Sequence, residues 1–143
     1  MACINTKAVN VSAASAEVSV RASSGQVSKG DIVYVIITVN SSDAMSGFEG
    51  SFSYDSRVLQ YMTGGSVASG NDNRFQIEDT GRETGGNSLK YSIKFVARKE
   101  GSTSIELKQP YAVYNSEDSS KMSVSSDTLN IMVKSKSAKK ADA

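Results

Sequence analysis

The stretch Phe48-Glu49-Gly50-Ser51-Phe52-Ser53-Tyr54-Asp55 alternates aromatic or small residues with polar ones at a period of two. On a β-strand successive side chains point to opposite faces, so Phe48, Gly50, Phe52 and Tyr54 share one side and Glu49, Ser51, Ser53 and Asp55 the other. That pattern predicts a strand with a buried aromatic face and a solvated polar face. Outward from it, the same alternation returns at Leu89, Tyr91, Ile93, Phe95 and Ala97, interleaved with Ser88, Lys90, Ser92 and Lys94. Shorter versions stand at Val18 and Val20, at Ile105 and Leu107, and at Leu129, Ile131 and Val133. Residues 32–39 are apolar on both parities and largely β-branched. They predict a central strand covered on both faces.

Turn signals separate these runs: Ser24-Gly25, Lys29-Gly30-Asp31, Ser46-Gly47, Gly64-Gly65, Gly85-Gly86 and Gly101-Ser102. Glycine at such points makes positive φ cheap. About eight short strands at this spacing, one proline and no 3.6-residue apolar stripe predict an all-β sandwich or jelly roll.

Composition removes much chemistry. The chain of 143 residues has no His and no Trp, a single cysteine (Cys3), and Lys+Arg 16 against Asp+Glu 15. The commonest general base and metal ligand is missing, and one thiol makes neither a disulfide framework nor a thiolate metal site. The near-neutral balance argues against a nucleic-acid groove. No run of 18 apolar residues occurs, so no membrane insertion is expected. Residues 1–15 are small and polar, and Ala13, Ala14 and Ala16 resemble a signal-peptidase site, so 1–15 is taken as a leader remnant or linker. Residues 16–134 form the expected folded body. Residues 135–143, rich in Ser, Ala and Lys, are expected to be a basic flexible tail or linker.

Catalysis finds little support. Glu78-Asp79 and Glu117-Asp118 are adjacent carboxylates, but neighbours on a strand point to opposite faces, whereas a glycosidase needs two carboxyls converging across a cleft. Calcium is conceivable from oxygen ligands around Asp72, Asp79 and Asp118 but is not predicted, because no Asp-x-Asp-x-Asp-Gly loop exists. These residues read as surface turns, and no cofactor is expected. For glycans, Tyr54 and Tyr91 alternate with polar residues and are assigned to the core, leaving Tyr34, Tyr61, Tyr111 and Tyr114 as exposed rings. Of these, Tyr34, Tyr111 and Tyr114 are the stacking candidates. Tyr111 and Tyr114, three apart, would face opposite sides of a regular strand and build a poor platform.

The order of the motifs resembles the cohesin family. Gly30-Asp31 opens a long β-branched strand; 46–55, followed by Val58-Leu59, resembles the following family strands. Phe75-Gln76-Ile77-Glu78-Asp79-Thr80-Gly81 resembles a strand ending in an acidic turn. Residues 89–96, Gly101-Ser102-Thr103 and 129–133 complete the order, so the match spans roughly 17–133. The resemblance implies a nine-stranded jelly-roll sandwich of bacterial surface and secreted proteins, binding dockerin modules and sharing its fold with cellulose-binding modules. It places Glu49 at a partner-facing position, with Ser51, Ser53, Gln76 and Glu78 on the same face. Residues 65–73 are polar where the family sets an extra strand of that face, which predicts a shortened or reshaped surface. The expectation is a noncatalytic, monomeric protein-protein docking module, extracellular or on a bacterial cell surface and cellulosome-like in character. The alternatives are a carbohydrate-binding module of a polysaccharide-degrading system, bound to cell-surface polysaccharide, and a structural spacer or adhesion domain.

Overall fold

The computed structural model describes residues 14–24, 26–81 and 86–135. Its strands in chain order are β1 (Ser15–Ala22), β2 (Gln26–Ser28), β3 (Ile32–Ser41), β4 (Met45–Ser53), β5 (Leu59–Thr63) and β6 (Ala68–Asn71). They continue with β7 (Arg74–Asp79), β8 (Ser88–Ala97), β9 (Gly101–Asn115), β10 (Ser123–Ser126) and β11 (Leu129–Lys134). One sheet runs β10-β1-β3-β8-β5 and the other β2-β11-β9-β4-β7-β6. The all-β sandwich read from the alternation is therefore the observed architecture. The strand count exceeds the eight or nine expected because β2, β6 and β10 are short strands at sheet edges.

The core lies between the sheets, where the inward parities meet. Phe52 of β4 stands opposite Phe75 of β7, and their rings stack at 4.9 Å and 7°. Phe75 also meets Phe95 from the other sheet at 5.5 Å, and Tyr54 and Tyr61 at 6.1 Å each. Phe48 reaches Tyr91 across the sandwich at 5.9 Å. Phe48 and Phe52 have no exposed surface, and Tyr54 and Tyr91 are buried, as the period of two predicts.

Three expectations are corrected. Strand β3 is central in its sheet but covered on one face only: Val33, Val35, Ile37 and Val39 are buried, while Ile32 is 46% and Tyr34 42% exposed. Tyr61 is not an exposed ring, since it packs on Phe75 and, at 5.9 Å, edge-on to Phe95. The polar segment 65–73 does contain a strand, β6, paired antiparallel to β7. It is hard to see in sequence because its inward residues are Ala68 and Gly70. A Cβ on Gly70 would lie 2.4 Å from the Tyr61 ring, so the ring occupies the space a side chain would take. The Tyr54 hydroxyl then donates to the Asn71 carbonyl at 2.7 Å, tying the edge strand to the core.

Burial, first of all, pushes the phenols of Tyr54 and Tyr61 above their ordinary range. A raised pKa means the native state holds its proton while the unfolded chain ionises. This contribution is complete below about pH 10 and is lost as pH rises above it. Denaturant unfolding followed between about pH 8 and 11 is expected to show stability falling through the upper part of that range; a flat or rising profile would contradict the assignment of these rings to the core.

Candidate docking face

The outer face of the six-stranded sheet follows from the register. Between β4 and β7, Glu49 stands opposite Glu78, Ser51 opposite Gln76 and Ser53 opposite Arg74. On the β9 side the same three rows continue into Ala112, Lys108 and Glu106. The β4–β9 register jumps between Gly50 and Ser51, leaving Gln109 and Pro110 as two extra residues in β9. An even insertion preserves parity, so Leu107 and Val113 both point into the core and the polar rows stay on one surface. Proline fits at such a bulge because no ladder N–H is needed there.

All five residues assigned to a partner-facing surface, Glu49, Ser51, Ser53, Gln76 and Glu78, thus share one face. They are not equally accessible. Gln76 and Glu78 are exposed, Glu49 and Ser53 are half-buried, and Ser51 is only 5% exposed. The Arg74 guanidinium covers it and donates to its Oγ at 2.9 Å. Arg74 therefore presents the charge at this point, a role that the sequence does not reveal because it depends on the β4–β7 register.

Glu49 accepts a hydrogen bond from the Tyr114 hydroxyl. That bond to a carboxylate is the main reason the Tyr114 phenol is held above its ordinary range, with burial and the negative charge adding to it. Among the described residues neither Glu49 nor Glu78 has a cationic partner. The nearest lysine in the register, Lys108, pairs with Glu106 at 3.4 Å.

Each end of the face carries a hollow. One, of about 550 Å³, is lined by Ser46, Glu49, Thr80, Tyr114 and Ser119. Its wall is the chain after β7, which crosses so close to Gly47 that a Cβ there would lie 2.6 Å from the Thr80 Cα. The other, of about 610 Å³, is lined by Ser53, Arg57, Asn73, Arg74, Ser102 and Ser104. In that hollow Arg57 is held by Asp55 at 3.0 Å, and its hydrogen bonds keep the Asp55 carboxyl below the usual range.

The three candidate stacking rings are separated. Tyr34 is on the outer face of the opposite sheet, Tyr111 sits opposite Gly50 and packs against the core, and Tyr114 is bonded to Glu49. No flat platform can form from them. Asp79 is not a turn residue on the surface: it is buried at the end of β7 and accepts the Tyr91 hydroxyl at 2.8 Å. Glu78 and Asp79 do point to opposite faces. Asp72 is exposed, and Asp118 accepts from the backbone and hydroxyl of Ser120, whose hydrogen bonds lower its pKa. Among the described residues no group of three His, Cys, Asp or Glu side chains gathers to hold a metal. Residues 1–13, with Cys3, and 136–143 lie outside the described residues, and with them all of the leader and tail readings but Ala14, Ser15 and Ser135; Ser15 is the first residue of β1.

No protein-family model and no curated protein matches the sequence. Solved structures match in fold. A non-cellulosomal cohesin from the hyperthermophilic archaeon Archaeoglobus fulgidus superposes with a TM-score of 0.66 at 15% identity, covering 88% of this chain and 97% of that one. A type II cohesin domain from the cellulosome of Acetivibrio cellulolyticus gives 0.66 at 16% identity, with 82% and 95% covered. The cohesin of a type I cohesin–dockerin complex from Clostridium thermocellum gives 0.57 at 11% identity, with 86% and 94% covered. Element order, two-sheet layout and these superpositions agree on one conclusion: the described chain has the cohesin fold.

Proposed function

We propose that this domain is a noncatalytic docking module, extracellular or displayed on a bacterial cell surface, that binds a dockerin-type partner through the outer face of its six-stranded sheet. One observation carries the reading. Glu49 and Glu78 stand directly opposite each other on β4 and β7, an arrangement that costs stability when both are ionised, and among the described residues no cation of the chain relieves it. A partner lysine or arginine entering between them would. Around this pair the face is polar, built from Ser53, Gln76, the Ser51–Arg74 contact and the Lys108–Glu106 pair, with Ala112 buried beside Glu49. Polar, reversible interfaces have this character. That one fold neighbour is a cohesin in complex with a dockerin supports the choice of partner.

The test is a calorimetric titration of dockerin modules encoded in the same genome against wild type, Glu78→Arg and Glu49→Arg. Each reversal is expected to weaken binding roughly 30-fold, about 2 kcal/mol, by meeting the partner's cation with a like charge. Stability should change by less than about 1 kcal/mol, since an arginine opposite a glutamate is favourable and offsets the loss of the Tyr114 contact at position 49. Unchanged affinity in both variants would overturn the site. Soluble xylan and pectin and insoluble cellulose form the second arm. Micromolar binding to any of them would put the carbohydrate reading first, a result the scattered tyrosines argue against.

A further inference from the structure

The outer face of the five-stranded sheet is built differently. Ile32, Tyr34 and Ile36 of β3 and Val96 of β8 form a contiguous apolar surface, because Ile32 stands opposite Val96 and the others follow along β3. Lys94 lies opposite Tyr34, and Lys90 opposite Thr38. Among the described residues neither lysine has an ion pair, while the third cation, Arg21, is engaged with Asp127 at 2.6 Å. Apolar surface gathered this way on a soluble domain commonly marks an interaction site.

From these features we infer that this face is a second docking surface, separate from the six-stranded sheet, and that its occupant is an amphipathic helix of another protein with acidic residues flanking its apolar stripe. The backbone dictates a helix. β3 lies between β1 and β8 with its ladder hydrogen bonds already made on both sides, so no edge is open beneath the patch to receive an added strand. An occupant must bring a satisfied backbone of its own, which a helix does. Charge dictates the flanks. Lys90 and Lys94 are four residues apart on one strand, about 13 Å, a distance spanned by about nine residues of helix running along it. Two acidic positions seven or eight residues apart stay near one side of such a helix and, at about 11–12 Å, come within side-chain reach of both.

Other occupants fit less well. The chain leaves β11 close to this patch, since the Lys134 carbonyl accepts from Lys29 and the Ala97 carbonyl from Gly30. The sequence that follows, Ser135-Lys136-Ser137-Ala138-Lys139-Lys140, has no large apolar side chain and carries the same sign of charge as the rim. A second copy laid face to face about a twofold axis would bring the two Lys94 side chains together near its centre.

The probes are two synthetic helical peptides with the same leucine stripe, one flanked by glutamates and one by lysines. Each is titrated by fluorescence anisotropy, with amide chemical shifts followed by NMR. The glutamate peptide should bind at least tenfold more tightly than its lysine twin and perturb β3 and β8. Tyr34→Ser with Ile32→Thr should weaken it at least tenfold without moving the melting temperature, and Lys94→Glu should reverse the preference between peptides. Equal affinity for both peptides, absence of binding, or perturbations confined to the six-stranded sheet would overturn the proposal. So would sedimentation equilibrium showing a dimer that Tyr34→Ser dissolves, which would make a second copy the occupant. None of these outcomes bears on dockerin binding, which is read on the other sheet.

Discussion

Replacing Phe75 by alanine is expected to destabilise the domain by about 3–5 kcal/mol, the range for removing a buried aromatic ring. Phe75 is the ring on which the two sheets converge: it stacks on Phe52 at 4.9 Å and touches Tyr54, Tyr61 and Phe95. Tyr61 in turn fills the space beneath Gly70, so the cavity would undermine β6 as well as the centre of the core. With a urea slope of about 2 kcal/mol per molar, the unfolding midpoint should fall by roughly 2 M. That is a large part of the stability of a domain this size, for which about 5–15 kcal/mol is usual. A loss below about 1 kcal/mol would mean that the ring cluster is not where the sheets are joined.

Gly47→Ala should have the next largest effect. The added Cβ would meet the Thr80 Cα at 2.6 Å and the Asp79 carbonyl oxygen at 2.7 Å, both backbone atoms that cannot turn aside as a side-chain tip can. Overpacking costs typically about 1–3 kcal/mol, and contact with backbone puts this site at the upper end. The strain also has a direction. It pushes the chain after β7 away from β4, and that chain is the wall of the hollow beside Glu49 and Tyr114. The variant is therefore expected to lose both stability, in chemical denaturation, and affinity for a dockerin. Stability within about 0.5 kcal/mol of wild type would show that the approach of the two segments is looser than described.

How far the sequence carries the account depends on how local each feature is. The period of two from Phe48 to Tyr54 needs no partner strand to be read, and it places those rings and Glu49 on opposite sides without error. The cohesin-like motif order was also legible, because turn and strand signals follow one another along the chain. Features set by neighbours were not. Ser51 has the outward parity of an exposed residue, but Arg74 arrives from β7 and covers it. Strand β6 reads as a polar loop because Tyr61, from β5, supplies the bulk that its own residues lack. The β-branched run of β3 is apolar on both parities, which suggested cover on both faces; the described chain supplies nothing over Ile32 and Tyr34. Asp79 followed a pattern of acidic turn residues, yet its parity is that of Phe75 and Ile77, so it ends the strand on the inside and meets Tyr91.

Docking through the outer face of the six-stranded sheet can be mapped residue by residue. Its most direct measurement is an amide chemical-shift map of the domain, isotopically labelled, as an unlabelled dockerin from the same genome is added. The largest changes are expected at Glu49, Arg74, Gln76, Glu78, Ala112 and Tyr114, with β1, β3 and β8 little affected. Saturating binding with changes centred on β3 and β8, and none on β4 and β7, would contradict it.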